Sequence, residues 1–132
     1  MSERFMSVKE ILHEIDKLLD EEAMVITKAL SKVDDPLYRA TLSDILSHII
    51  ANKNQVSGLR SIYIFGAPKP SAKDKEVYSK ALRDSVRLFA QATRLLQRLS
   101  DMAVDPRIRG YIDTMLSLWK YSLKVGKKVL KR

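Results

Sequence analysis

Residues 33–49, VDDPLYRATLSDILSHI, end one helix and start the next. Asp35 suits the N-cap, where a side-chain oxygen accepts from free N–H groups of the first turn. Pro36 follows at the first helical position, where its missing N–H has no partner to lose. Leu42, Ile45 and Ile49 then recur at three and four residues, the helical period. At an offset of 70 residues, Asp105-Pro106-Arg107-Ile108-Arg109 lies over Asp35-Pro36-Leu37-Tyr38-Arg39. Ile112, Met115, Leu116 and Ser117 lie over Leu42, Ile45, Leu46 and Ser47. A repeated helix-to-helix turn is the pattern of a duplicated helical hairpin.

Start signals elsewhere complete the set. Ser7-Val8-Lys9-Glu10 reads as a capping box, and 71–74 supplies a cap before the third helix. The first helix carries Ile11, Ile15, Leu18, Glu22, Val25 or Ile26, Ala29 and Val33 as its stripe. The second continues through Asn52, Val56 and Leu59, and Gly66-Ala67-Pro68-Lys69-Pro70 stops it. The third carries Tyr78, Ala81 or Leu82, Ser85, Phe89, Ala92, Leu95 or Leu96, Leu99 and Met102. The fourth carries Ile108, Tyr111 or Ile112, Met115, Leu118 or Trp119, Ser122, Val125 and Val129. Ile62-Tyr63-Ile64-Phe65 reads as a helix end or an exposed apolar patch rather than a strand. The expectation is an all-α chain, a four-helix bundle built from two helical hairpins. It forms one domain over 1–132, with hairpins over about 7–65 and 72–132 and a linker over about 66–71. A middle connection of about ten residues reaches about 33–36 Å when extended, so up-down and crossover topologies both remain open.

Composition bounds the chemistry. The chain has 132 residues, 45% of them hydrophobic and 30% charged, enough for a core of its own. There is no apolar run of about 18 residues, so no transmembrane segment is expected. MSERFMSVKE lacks the apolar centre of a signal peptide, which makes a cytoplasmic location the expectation. The absence of cysteine excludes disulfides, thiolate metal sites and thiol nucleophiles. Two histidines, His13 and His48, cannot make a His-rich metal site, and four scattered glycines cannot make a phosphate loop. Few Asn and Gln beside many Lys, Arg, Ile and Leu fit a heat-adapted source.

Three segments of the first half stand out: Leu19-Asp20-Glu21-Glu22-Ala23, Asp34-Asp35-Pro36-Leu37-Tyr38-Arg39 and Asn52-Lys53-Asn54-Gln55-Val56-Ser57-Gly58-Leu59. Through them the chain, over roughly residues 10–62, resembles the ferritin-like superfamily, nearest its small rubrerythrin-type members. The second half follows through the repeat. The resemblance implies a metal-binding Glu in the first helix and a Glu-x-x-His in the second. Glu22 fits the first position, but Asn52 and Gln55 stand where the second Glu and the His belong. The turn also comes about one helical turn early relative to the family pattern.

Di-iron chemistry needs carboxylates and imidazoles: a Glu from each of two helices and a Glu-x-x-His from each of the other two. Asn52 and Gln55 are neutral amides, and the repeat-related positions hold Ala92, Ser122 and Val125. His48 lies one turn before Asn52 and is the only imidazole near that face. The expectation is no metal ligand set, no catalytic residues and no cofactor. Glu22, His48, Asn52 and Gln55 then form either a hydrogen-bonded polar layer or a solvent-facing group.

Charge supplies the remaining signal. Residues 1–66 hold eight Lys/Arg and ten Asp/Glu, net −2; residues 67–132 hold sixteen and six, net +10; together they make +8. On the third helix Lys80, Arg83, Arg87, Arg94 and Arg98 fall along one side over about 27 Å. The fourth helix adds Lys120, Lys124, Lys127, Lys128, Lys131 and Arg132. These residues make a candidate anion-binding face, its partner an acidic protein surface, a nucleic acid or an anionic lipid surface. A homo-oligomer is expected, first a dimer, with Asp16, Asp20 and Glu21 of another subunit as one acidic surface to meet the row. The functional expectation is a non-catalytic ferritin-like module for binding or assembly that has lost its metal site. The alternatives are a metal-dependent oxidoreductase with a reduced site and a nucleic-acid-binding bundle using helices 3 and 4.

Overall fold

A computed structural model describes residues 7–131. The N-terminal MSERFM, read above for the lack of a signal peptide, and Arg132 of the basic tail lie outside the described residues. The chain is all-α: α1 (Val8–Leu30), α2 (Pro36–Phe65), α3 (Ala72–Met102) and α4 (Pro106–Leu130), with no strand among the described residues. α1 packs on α2 and α3 on α4, which makes two helical hairpins. The chain divides into compact units after Pro68, inside the linker. None of the helices is long and apolar enough to cross a membrane.

Every helix starts at the cap its sequence offers. Ser7 Oγ accepts from Glu10 N at 3.2 Å and donates to the Glu10 carboxylate at 3.0 Å. Asp35 accepts from Tyr38 N at 2.9 Å, and Ser71 accepts from Asp74 N at 3.0 Å. Asp105 accepts from Arg107 N at 2.8 Å and from Ile108 N at 3.2 Å. Each of the bonds from a backbone N–H satisfies a first-turn donor that the helix itself cannot pair. The α1–α2 turn is also clasped by Arg39, whose guanidinium donates to the carbonyls of Leu30 at 2.5 Å and Val33 at 2.8 Å. α2 runs helical through Ile62-Tyr63-Ile64-Phe65, all exposed. Gly66 closes it, its N–H bonded to Ile62 O at 2.8 Å and its φ at 85°, a left-handed value that suits glycine. The connection is 66–71, shorter than the ten or so residues expected, because α2 and α3 use every residue up to their caps.

The packed rows lie partly to one side of the stripes read from sequence. α1 faces α2 with Leu12, Leu19, Ala23, Ile26 and Leu30, while Ile11, Ile15, Leu18 and Val25 stay exposed. α2 returns Leu42, Ile45, Ile49 and Val56, with Ile49 the most enclosed at 2% exposure. In the second hairpin Leu96, Ile112 and Leu116 form the core, flanked by Ala103, Met115 and Trp119. Phe89 and Trp119 stack tilted, with centroids 5.2 Å apart. Gly126 lets α4 approach α3 closely: a Cβ there would sit 3.1 Å from Val86 Cγ2.

Candidate functional site

The helical period and two cross-helix contacts decide which residues share a side of each hairpin. In α3, Gln97 stands four residues beyond the packed Thr93; in α4, Lys120 stands four beyond the packed Leu116. Four residues advance about 40° past a full turn, so both lie on the same-sense flank of their packed rows. Lys120 Nζ donates to Gln97 Oε1 at 3.3 Å, so like-sense flanks of this antiparallel pair lie on one side. Lys80, Arg83, Arg87, Arg94 and Arg98 of α3 occupy that flank, as do Lys120, Lys124, Lys127 and Lys131 of α4. Lys128 stands at its outer edge. The two basic rows therefore form one surface, and every one of these side chains is exposed.

Between Lys80 and Arg98 one acidic group, Asp84, interrupts the row, and Glu76 of α3 stands on the same flank before it. On that surface Arg87 pairs with Asp84 at 3.7 Å. Asp101 and Asp113 sit toward the α3–α4 turn, and Asp113 accepts from Ser100 Oγ at 2.5 Å. One aromatic ring lies on the basic side, the exposed Tyr121 beside Lys128, while Phe89 and Trp119 pack between the helices and Tyr78 lies on the opposite flank. That opposite flank is apolar, with Tyr78, Leu88, Leu95 and Leu99 from α3 and Leu118 and Val125 from α4 exposed.

The same reasoning places the candidate polar group of the first hairpin. Lys53 of α2, four residues beyond Ile49, ion-pairs with Asp16 of α1 at 3.9 Å and with Asp20. This fixes one side of the hairpin as the Asp16–Asp20–Lys53 side. Glu22, His48, Asn52 and Gln55 lie on the other, beside exposed Ile15, Leu18, Val25 and Leu59. All four are exposed, and no hydrogen bond joins them. His48 Nδ1 instead donates to the Asp44 carbonyl at 2.8 Å, with the Asp44 carboxylate 3.6 Å away. Among the described residues, no three His, Asp or Glu side chains come together as a metal-ligand group.

Two residues with structural work escaped the sequence reading. Arg39 clasps the first turn, and Lys53 bridges the first hairpin. Lys53 sits one residue after Asn52, and the period alone could have put it beside Ile49 and Val56. The Lys53 ammonium is held above its ordinary 10.5, first by its hydrogen bond to Asp20; desolvation opposes this as the next effect, and the charges of Asp20 and then Asp16 add to the rise. No protein-family model, no curated protein and no solved structure matches this chain.

Proposed function

We propose that this chain is a non-catalytic helical binding module, ferritin-like in its paired hairpins and without a di-iron site. Its work is to dock an anionic partner on the basic side of the second hairpin. One observation carries the reading: the cationic rows of α3 and α4 lie on the same side, with the Asp84–Arg87 pair their single internal neutralisation among the described residues. Same-sign charge gathered on one surface repels itself and is offset when an anion approaches. The donor chemistry supports the non-catalytic half. Asn52, Gln55, Ala92, Ser122 and Val125 stand where the resemblance requires carboxylate and imidazole.

Inorganic polyphosphate is the minimal probe, since it carries charge without bases or acyl chains. Calorimetric titration should show binding that weakens as salt shortens the Debye length from about 10 Å toward about 3 Å. Arg87→Glu with Arg94→Glu should abolish it, while Lys17→Glu with Lys28→Glu on the first hairpin should leave it intact. Absent binding, or equal loss in both variants, overturns the reading.

A further inference from the structure

We infer that the anionic partner is double-stranded DNA, gripped through its phosphate backbone without reading of bases. The inference rests on the anion-docking reading above and goes on to name the polyanion. Three features of the surface select it.

The first is length and rigidity. The α3 row from Lys80 to Arg98 runs along a single helix for about 27 Å. At about 3.4 Å of axial rise per base pair, that row runs beside about eight base-pair steps of a duplex. A stiff row of cations lies along a stiff polyanion with little ordering cost on either side.

The second is the pairing of rows. Packed helices stand about 8–10 Å apart, and their outward side chains splay the rows further. The B-form major groove is about 12 Å wide, so the α3 and α4 rows can each meet one of its phosphate walls. The major groove of A-form RNA is deep and narrow, which denies two rows that fit.

The third is what the surface lacks. Single strands are held by successive bases stacking on several aromatic rings, and among the described residues this side offers one, Tyr121. Interfacial membrane binding adds buried apolar area to charge, and here the apolar residues point from the opposite flank. What remains is chiefly dense charge, which is the requirement of nonspecific duplex binding.

The test uses the full chain and four probes: a 30-base-pair DNA duplex (about three helical turns), one of its strands alone, an RNA duplex of the same sequence, and phosphatidylcholine–phosphatidylserine vesicles. Fluorescence anisotropy should show the DNA duplex bound at least about tenfold more tightly than the single strand or the RNA duplex. Binding should be indifferent to sequence, and log K should fall linearly with log salt. Each phosphate contact contributes about −0.9 to that slope, so Arg94→Ala with Lys124→Ala should flatten it by about two. Circular dichroism checks that the variant keeps its helices, and Arg94→Lys should restore most of the slope lost at that position. Tighter binding of single strands or RNA duplex overturns the choice of DNA while leaving an anion-docking module. Vesicle capture that depends on Arg94 and Lys124, without duplex binding, does the same in favour of lipid. Duplex binding unchanged by the double substitution overturns this surface as the site. Failure of every probe, together with failure of polyphosphate, removes the anion-docking reading itself.

Discussion

Lys120 Nζ on α4 donates to Gln97 Oε1 on α3, at 3.3 Å. Each stands four residues past a packed residue, so the bond brings the cationic flanks of both helices to one side. Hairpin pairing alone does not compel this. An α4 rotated by about half a turn would carry its lysines to the opposite side from the arginines of α3.

That alignment has a stability consequence. Like charges along the two rows repel, and added salt screens repulsion between exposed groups. The second hairpin should therefore become more stable as salt rises. Trp119, the single tryptophan, lies between α3 and α4 against Phe89 and reports on this unit. Its fluorescence unfolding midpoint should rise between about 0.05 M and about 0.5 M NaCl. A falling midpoint would show that attractive pairs outweigh repulsion in this hairpin.

Lys53 makes a pH-dependent contribution in the first hairpin. Its folded pKa is raised above its ordinary 10.5, chiefly through the hydrogen bond to Asp20. The stabilisation is therefore complete below the unfolded value and is lost as pH climbs through the raised folded value. Lys53→Met should lower the melting temperature at about pH 9 and bring it closer to wild type at about pH 11. Equal differences at both pH values would show that the ammonium charge plays no part.

The four glycines should respond differently to alanine. Gly58 and Gly110 lie inside helices with open space where a Cβ would go, so each change should stabilise by about 0.8–1 kcal/mol. Gly126 carries the same propensity gain, but its Cβ would press Val86 Cγ2 at 3.1 Å against a stiff β-branched side chain. Gly126→Ala should be neutral or destabilising. Gly66→Ala should cost about 1 kcal/mol through its left-handed φ. Urea midpoints order the four, and a stabilising Gly126→Ala would mean that α3 and α4 can separate slightly at little cost.

Ferrous iron supplied anaerobically should bind at less than one ion per chain and give no oxo-bridged absorption on exposure to air. The expectation follows from donor types: Asn52 and Gln55 are amides, and Ala92, Ser122 and Val125 offer no useful ligand. Two tightly held irons per chain would restore the oxidoreductase reading.

The helix starts were legible because they are local. Ser7, Asp35, Ser71 and Asp105 each cap a first turn using groups within three residues, and Pro36 and Pro106 reinforce two of them. The linker was legible for the same reason, through Gly66, Pro68 and Pro70. The packed rows were legible only in part. In α1, Ile11, Ile15 and Leu18, at spacings of four and three, run beside Leu12, Leu19 and Ile26, at spacings of seven, and both rows fit the helical period. Period alone cannot choose between rows about 100° apart when both qualify.

The amino-acid sequence by itself determined four capped helices, two short turns and a second half rich in cations. Each depends on neighbours within a turn or on simple composition. Tertiary structure alone decided that Leu12 rather than Ile11 faces α2, that Lys53 reaches Asp16 and Asp20, and that the α3 and α4 cations share a side. These depend on how each helix is rotated about its own axis. That rotation is set by the fit of side chains against the partner helix, across separations in sequence that no local pattern records.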